Sequence, residues 1–124
     1  MISPQPSAII SISYSFYISR KAALLNYPKA YVKCGDFIYS GRGVGRRDKS
    51  EAFKCYQKAA LMNDSEAMNS LGLMIETGFD DRLGDPDAAL EYYKKALKLG
   101  NSDASINIAM LYLNVCFHLY LCRV

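Results

Sequence analysis

The sequence predicts an all-α fold, a right-handed α-solenoid of about three antiparallel helix-pair repeats. Three observations predict it: an internal repeat with a period of 37 residues, small residues at the same place in each copy, and capping residues at several helix ends. Of the 124 residues, 51% are hydrophobic and 22% are charged, which is typical of a folded chain with a single core. We expect almost no strand.

The internal repeat becomes visible when the chain is shifted by 37 residues without a gap. Four rows then run through three copies: Lys21, Lys58 and Lys95; Ala22, Ala59 and Ala96; Ala30, Ala67 and Ala104; Gly35, Gly72 and Ala109. Other rows join two copies, such as Ile38 with Ile75, Gly41 with Gly78, Asp48 with Asp85, and Tyr56 with Tyr93. Alanine and glycine let helix backbones come close, so the small rows are predicted packing positions.

Each copy is predicted to be a helix hairpin because two apolar stripes follow one another at helical spacing. In the second copy the first stripe consists of Ala67, Leu71, Gly72 and Ile75. The second stripe consists of Ala89, Tyr93, Ala96 and Leu97. Each stripe is expected to cover the face that the other helix leaves open.

Capping residues mark the helix ends. Asp85 followed by Pro86 fits an N-cap and a first helical position, Asp48 with Glu51 resembles a capping box, and Gly78 fits a C-terminal cap.

The predicted helices are 14–25, 28–40, 49–62, 65–77, 86–99 and 102 to about 120. The chain thus divides into an irregular segment 1–13, a helical-repeat array 14–113, and an apolar extension of the last helix at 114–124. The alternation of serine with apolar residues at 11–16 would equally suit a short strand.

The residue order within the copies resembles the Sel-1-like repeat family, a relative of the tetratricopeptide repeats. The first helix reads small-x-x-x-Leu-Gly at 67–72, and the second reads Ala-x-x-x-Tyr-x-Lys-Ala at 52–59 and again at 89–96. The resemblance covers about residues 21–113. A tetratricopeptide repeat has a period of 34 residues, and the three extra residues lie in the loop after the first helix. The loop 79–84 departs from the Gly-x-Gly-Val pattern of 41–44, and the third copy is degenerate.

No catalytic constellation is recognisable. The single histidine, His118, lies in an apolar run without a carboxylate or serine in a known motif, and the glycines of 41–45 lack the phosphate-loop pattern. The four cysteines, Cys34, Cys55, Cys116 and Cys122, lack the close spacing of metal or redox sites. We therefore predict no enzyme, no cofactor and no metal. Free cysteines fit a reducing compartment, and we expect a cytoplasmic protein.

The charge pattern argues against a nucleic-acid partner. The net charge is only +3, and the basic run in the loop at 42–49 is best interpreted as solvated surface. In a bacterial cysteine-rich subgroup of the family, which binds β-lactams, cysteines recur at matching places in every repeat. Here Cys34 falls opposite Leu71 and Ile108, which argues against membership of that subgroup.

The resemblance implies a protein-binding scaffold or adaptor that holds a peptide or protein on the concave face of the array. By analogy with tetratricopeptide repeats, the first helix of each pair lines that face. The predicted contact positions are Lys29, Val32, Asp36, Tyr39, Glu66, Asn69, Leu73, Glu76, Asp103, Ile106 and Met110. The alternative is a small hydrolase or ligand-binding enzyme on the same scaffold, which a screen with generic ester and β-lactam substrates would detect.

The last predicted helix is unusually apolar. Residues 106–122 carry almost no charge, and no following helix is available to cover them, whereas solenoids normally end in a polar capping repeat. We expect an exposed apolar surface and self-association there. A membrane-spanning helix is the rival interpretation, which Asn107, Asn114 and His118 and the shortness of the run disfavour.

Overall fold

Residues 6–122 form six α-helices in a computed structural model, which describes the side chains of residues 15–121. The helices are α1 (Pro6–Leu24), α2 (Pro28–Ser40), α3 (Lys49–Leu61), α4 (Ser65–Thr77), α5 (Pro86–Lys98) and α6 (Asp103–Cys122). Over this described range the only extended pairing is an isolated bridge between Phe79 and Arg82. The predicted all-α class is therefore confirmed, and α2 to α6 lie within a few residues of their predicted bounds.

Helix α1 differs from the prediction. It begins at Pro6, so residues 6–13 are helical, and the irregular segment expected there is wrong for that part; residues 1–5 lie outside the described range. The strand interpretation of 11–16 is wrong for the same reason. Proline is well suited to the first turn of a helix, because its missing N–H has no helical partner there. A serine in a helix can satisfy its own hydroxyl, as Ser19 does by donating to the Ser15 carbonyl at 2.9 Å.

The chain divides into two compact units, 1–64 and 65–124, and the division falls between two copies of the repeat. In the first unit, α2 packs against both α1 and α3. In the second unit, α5 packs against both α4 and α6, and α4 also contacts α6. Each unit therefore contains one complete helix pair and one further helix packed against it.

The helix pair of each unit is held by a tyrosine that lies against a glycine. A Cβ atom built on Gly72 would lie 2.5 Å from Cε1 of Tyr93, and one built on Gly35 would lie 2.6 Å from Cε1 of Tyr56. Tyr93 has no exposed surface and Tyr56 is 4% exposed. The packing position that the repeat predicted is thus confirmed for Gly35 and Gly72. It is wrong for Ala109, the third member of the row, which is exposed on α6, where the described residues include no second helix of that copy.

Most members of the alanine rows also lie in the core, while Ala22 and Ala30 of the first copy are half-buried. Four row members have no exposed surface, namely Ala59, Ala67, Ala96 and Ala104. The same is true of Ala52 and Ala89, which the 37-residue shift also aligns. In contrast, Leu97 is 43% exposed, so its assignment to the packing stripe of α5 was wrong. Leu97 directly follows Ala96, and a rotation of about 100° per residue turns it away from the face that Ala96 buries.

Both loops between paired helices are closed in the same way. The Asp48 N–H donates to the Ile38 carbonyl at 3.2 Å, and the Asp85 N–H donates to the Ile75 carbonyl at 2.8 Å. The two aspartates then cap the helices that follow, since Asp48 Oδ1 accepts from the Glu51 N–H at 3.0 Å and Asp85 Oδ1 accepts from the Ala88 N–H at 3.1 Å. The predicted N-caps are therefore confirmed, and the backbone closure is kept although the loop sequences differ.

Candidate binding surface

The predicted contact positions of the first unit lie on α2 in different environments. Lys29 is exposed, and its Nζ pairs with Asp64 at 3.2 Å. Tyr39 is 40% exposed, with the Lys49 Nζ 5.8 Å from its ring centroid. Val32 is only 1% exposed, so the expectation that this residue faces a partner is wrong. The pattern that predicted Val32 located the apolar stripe of the second copy, and the stripe of α2 extends further round its helix.

Two of the predicted acidic contacts hold the core tyrosines. Asp36 Oδ1 accepts the Tyr56 hydroxyl at 2.7 Å, and Glu76 Oε2 accepts the Tyr93 hydroxyl at 2.6 Å. Burial, and then the hydrogen bond to the carboxylate, raise the pKa of both tyrosine hydroxyls well above the usual range. These carboxylates are therefore already engaged within their own units, although Asp36 is exposed at the surface.

Some predicted contacts of the second unit lie within about one helical turn of a pair of asparagines. Asn107 Nδ2 of α6 donates to Asn69 Oδ1 of α4 at 2.8 Å, which joins the two first helices of this unit. Three predicted apolar positions on these helices are exposed, Leu73 by 43%, Ile106 by 62% and Met110 by 53%. We call Asn69, Leu73, Ile106, Asn107 and Met110 the α4–α6 patch. Asn107 was not predicted, although an amide within an apolar helical run signals a polar partner.

The remaining predicted positions lie at the N-terminal ends of the same helices. Glu66 is half-buried in the first turn of α4, and Asp103 is exposed in the first turn of α6. A carboxylate in the first turn stabilises a helix through its dipole. Both acids therefore have a structural role at their own helix ends.

The chemical groups usual in enzymes are sparse along the described residues. No three His, Cys, Asp or Glu side chains among them are grouped to hold a metal ion. His118 is exposed near the end of α6. Cys34, Cys55 and Cys116 are free thiols; burial raises the pKa of Cys34 to about 11 and raises that of Cys55 as well. Protonated thiols are weak nucleophiles, so Cys34 and Cys55 are poorly suited to covalent chemistry.

The end of α6 is apolar and exposed. Every residue from Tyr112 to Leu121 is exposed, including Leu113 by 64%, Phe117 by 63% and Leu119 by 61%. Within the described part of the chain, residues 103–121 are the one helical stretch long and apolar enough to cross a bilayer, and 11% of the stretch is buried. Length and composition alone do not assign a membrane span, because other kinds of helix meet the same criterion.

The helix pairs recur at a spacing of 37 residues, and each pair contains a glycine–tyrosine contact, which defines a helical-repeat protein. The family sequence model of the Sel1 repeat matches residues 28–64 and 65–101, which are more than half of the chain. The chain therefore belongs to the Sel1 repeat family, and the resemblance inferred from the sequence is confirmed. Proteins of this family are generally non-enzymatic scaffolds that typically bind other proteins. A search of the curated proteins gives no match.

Three solved structures show the same fold. The Sel1 repeat protein from Oxalobacter formigenes is 29% identical, with a TM-score of 0.72 over 87% of this chain and 49% of its own. The protective antigen c5321 of uropathogenic Escherichia coli, described as having an SLR fold, is 30% identical with a TM-score of 0.75 over 82% of this chain and 21% of its own. Cysteine-rich protein B of Helicobacter pylori is 30% identical with a TM-score of 0.66, over 73% of this chain and 66% of its own.

These relatives are longer than the match. The chain spans about half the length of the Oxalobacter protein and about a fifth of the Escherichia coli antigen. The common part is the helical-repeat scaffold itself.

Proposed function

We propose that the protein is a non-catalytic scaffold that binds a peptide or another protein on the first helices of its repeats. The observation that carries this proposal is the exposure of Leu73, Ile106 and Met110 on the helices whose other faces pack against α5. Exposed apolar side chains that lie together commonly mark interaction sites. Membership of a family that typically binds proteins supports the same assignment.

The α4–α6 patch combines apolar contact area with hydrogen-bonding capacity. Each asparagine has an amide group with both donors and an acceptor, and the bond between Asn69 and Asn107 uses only one donor and one acceptor. The remaining groups are available to a partner's backbone, while Leu73 and Met110 supply area for its apolar side chains. In the first unit, Tyr39 offers an aromatic contact on the corresponding helix, since its side chain is 40% exposed.

The experiment that tests this proposal is quantitative affinity capture from the source cell with matched surface variants. The double variant Asn69→Ser with Leu73→Ser alters the patch on α4. Leu97→Ser is the control, because Leu97 on α5 is exposed by the same 43% as Leu73 but lies on a second helix. We expect the double variant to lose captured partners that the control retains. Equal retention by both variants, or equal loss, contradicts the proposal.

We propose further that the partner is a protein and not a nucleic acid, and that the chain works in the reducing environment of the cytoplasm. The small net charge of +3 supports the first point, since nucleic-acid binding depends on concentrated positive charge. The free thiols of Cys34, Cys55 and Cys116 support the second. Fractionation of the source cell followed by immunodetection tests the location, and recovery of the protein outside the cytoplasm contradicts it.

We also propose that the exposed end of α6 associates with a second copy of the chain. The support is the exposed apolar surface of Leu113, Phe117 and Leu119. Contact of this surface with water is unfavourable, so burying it against another apolar surface lowers the free energy. A second copy presents the same surface, and two-fold pairing of like helices is the commonest form of self-association.

A further inference from the structure

The first unit contains a cavity that the proposed protein-binding function does not use. Helices α1, α2 and α3 and the loop at 41–48 enclose about 490 Å³, which lies in the usual range for small-molecule sites. Its apolar lining includes Phe16, Ala23, Ile38 and Val44. The cavity is partly open to solvent, so a ligand can enter without movement of the helices.

Both described cysteines of this unit line the same cavity. Burial raises the pKa of the Cys34 thiol to about 11 and raises that of Cys55, so both thiols are neutral at physiological pH. The nearby Arg20 guanidinium opposes that rise at both sites with the smaller effect. The thiols therefore belong to the apolar wall, and Arg20 lies close to both of them.

The acidic side chains that line the cavity already have partners, whereas not all of the basic ones do. Asp48 caps α3, and Glu51 Oε2 pairs with the Lys54 Nζ at 3.7 Å, so both acids on the lining already have partners. The lining also carries three exposed cations: Lys58 lies over the Tyr31 ring at 5.7 Å, and Arg20 and Arg46 form no ion pair with the residues whose side chains are described. The lining of the cavity thus carries an excess of accessible positive charge.

We propose that this cavity binds a small carboxylate with an apolar body, such as a medium-chain fatty acid. The apolar chain packs among Ala23, Ile38 and Val44, and the carboxylate lies at the rim with Arg20 and Arg46. A planar guanidinium can donate two parallel hydrogen bonds to one carboxylate, which gives both affinity and orientation. A neutral alcohol of the same length lacks the negative charge and the second acceptor oxygen of a carboxylate, and a cation of the same length is repelled.

Isothermal titration of the full chain with decanoate, below its micelle concentration, tests the ligand class. Decan-1-ol and decyltrimethylammonium are the matched ligands with no charge and with the opposite charge. We expect decanoate to bind at least about tenfold more tightly than decan-1-ol, which corresponds to one charge-assisted hydrogen bond. Equal affinity for decanoate and decan-1-ol, or no binding of decanoate, overturns the proposal.

Three charge variants test the role of the rim. Arg20→Gln and Arg46→Gln remove the two rim guanidiniums, and Arg47→Gln removes a neighbouring exposed arginine that does not line the cavity. We expect decanoate affinity to fall about tenfold in the first two variants and to stay unchanged in the third. Circular dichroism of each variant checks that the helices are retained. An equal loss in all three variants shows long-range attraction only and contradicts a built site.

Cysteine alkylation tests the location independently of the charge variants. Cys55 lines the cavity and is half-buried, whereas Cys116 is an exposed thiol on α6 of the other unit. We expect saturating decanoate to slow the reaction of iodoacetamide with Cys55, measured by peptide mass spectrometry, and to leave Cys116 unaffected. Binding without protection of Cys55 places the ligand elsewhere and overturns the proposal.

Discussion

Gly72 and Gly35 are small because an aromatic ring occupies the space where a side chain would begin. The ring of Tyr93 lies against Gly72, and the ring of Tyr56 lies against Gly35, at equivalent places in the two units. The repeat pattern alone predicted that this row is a packing position. It did not predict the packing partner, because a periodic pattern records that a residue stays small and does not record what lies against it.

Replacing Gly72 by leucine is expected to destabilise the protein by about 1 to 3 kcal/mol, because even the first carbon of the new side chain overlaps the Tyr93 ring. Thermal or urea unfolding measures the change. In a Tyr93→Ala background the same leucine has room, so its additional cost should be smaller. An unchanged melting temperature for Gly72→Leu would show that the ring moves aside without cost.

The buried tyrosine hydroxyls are expected to make the protein less stable in alkali. The pKa of Tyr56 and of Tyr93 is raised in the folded chain, whereas in the unfolded chain a tyrosine titrates near 10. Above about pH 10 the unfolded state therefore releases protons that the folded state keeps, and the free energy of unfolding falls as the pH rises.

The double variant Tyr56→Phe with Tyr93→Phe tests this pH dependence. Near neutral pH it should lose roughly 1 to 3 kcal/mol for each hydrogen bond to a carboxylate. Above pH 10 its stability should fall less steeply than that of the parent chain. Tyr120→Phe, on the exposed end of α6, is the control. If the control flattens the alkaline slope as much as the double variant, the buried hydroxyls are not its cause.

At the scale of single elements, helix starts were predictable wherever a capping side chain stands in the sequence. Asp48 and Asp85 cap α3 and α5 as expected. The start of α1 was missed because a run of alternating serine and apolar residues suits either a strand or a helix, and the choice depends on neighbours. In the described chain no strand is present to pair with that run.

Removing the cap of α5 is expected to cost about 1 kcal/mol. Asp85→Ala loses the acceptor of the Ala88 N–H, whereas Asp85→Asn keeps a side-chain oxygen there and should retain most of the stability. Asp81→Ala, in the exposed loop before α5, is the control. Chemical denaturation ranks the three variants. If Asp85→Asn is as destabilised as Asp85→Ala, the carboxylate charge and not the hydrogen bond provides the stability.

At the scale of the whole molecule, the family and helix pairs were predictable from the repeat, but only part of the candidate surface was. The exposed positions Leu73, Ile106 and Met110 followed from their places outside the packing stripe. Val32 was placed wrongly, because the width of the buried face of a helix depends on which helices pack against it, and α2 packs against both α1 and α3. The cavity of the first unit was not predicted, since its lining comes from three helices that no linear pattern connects.

The exposed end of α6 is expected to make the purified protein self-associate at micromolar concentration. Phe117→Gln with Leu119→Gln should shift the mass measured by light scattering towards the monomer, because polar groups remove the gain from burying that surface. Leu61→Gln is the control, since Leu61 is 84% exposed on α3.

A monomeric parent chain in light scattering would contradict self-association. Flotation with lipid vesicles then tests the rival occupant, because residues 103–121 are long enough to enter a bilayer. If the chain binds vesicles and Phe117→Gln with Leu119→Gln abolishes that binding, the end of α6 is a lipid-binding surface.

The shared backbone closure of the two interhelix loops has a practical consequence for engineering. In the second unit the hydrogen bond from Asp85 to the Ile75 carbonyl fixes the ends of the loop, while Leu83 within it is 94% exposed. Gly84 must be kept, since a Cβ atom there would lie 2.3 Å from the Glu76 carbonyl oxygen. Leu83 is thus a tolerant place for a fluorescent label, because its exposed side chain takes no part in the hydrogen bond that closes the loop.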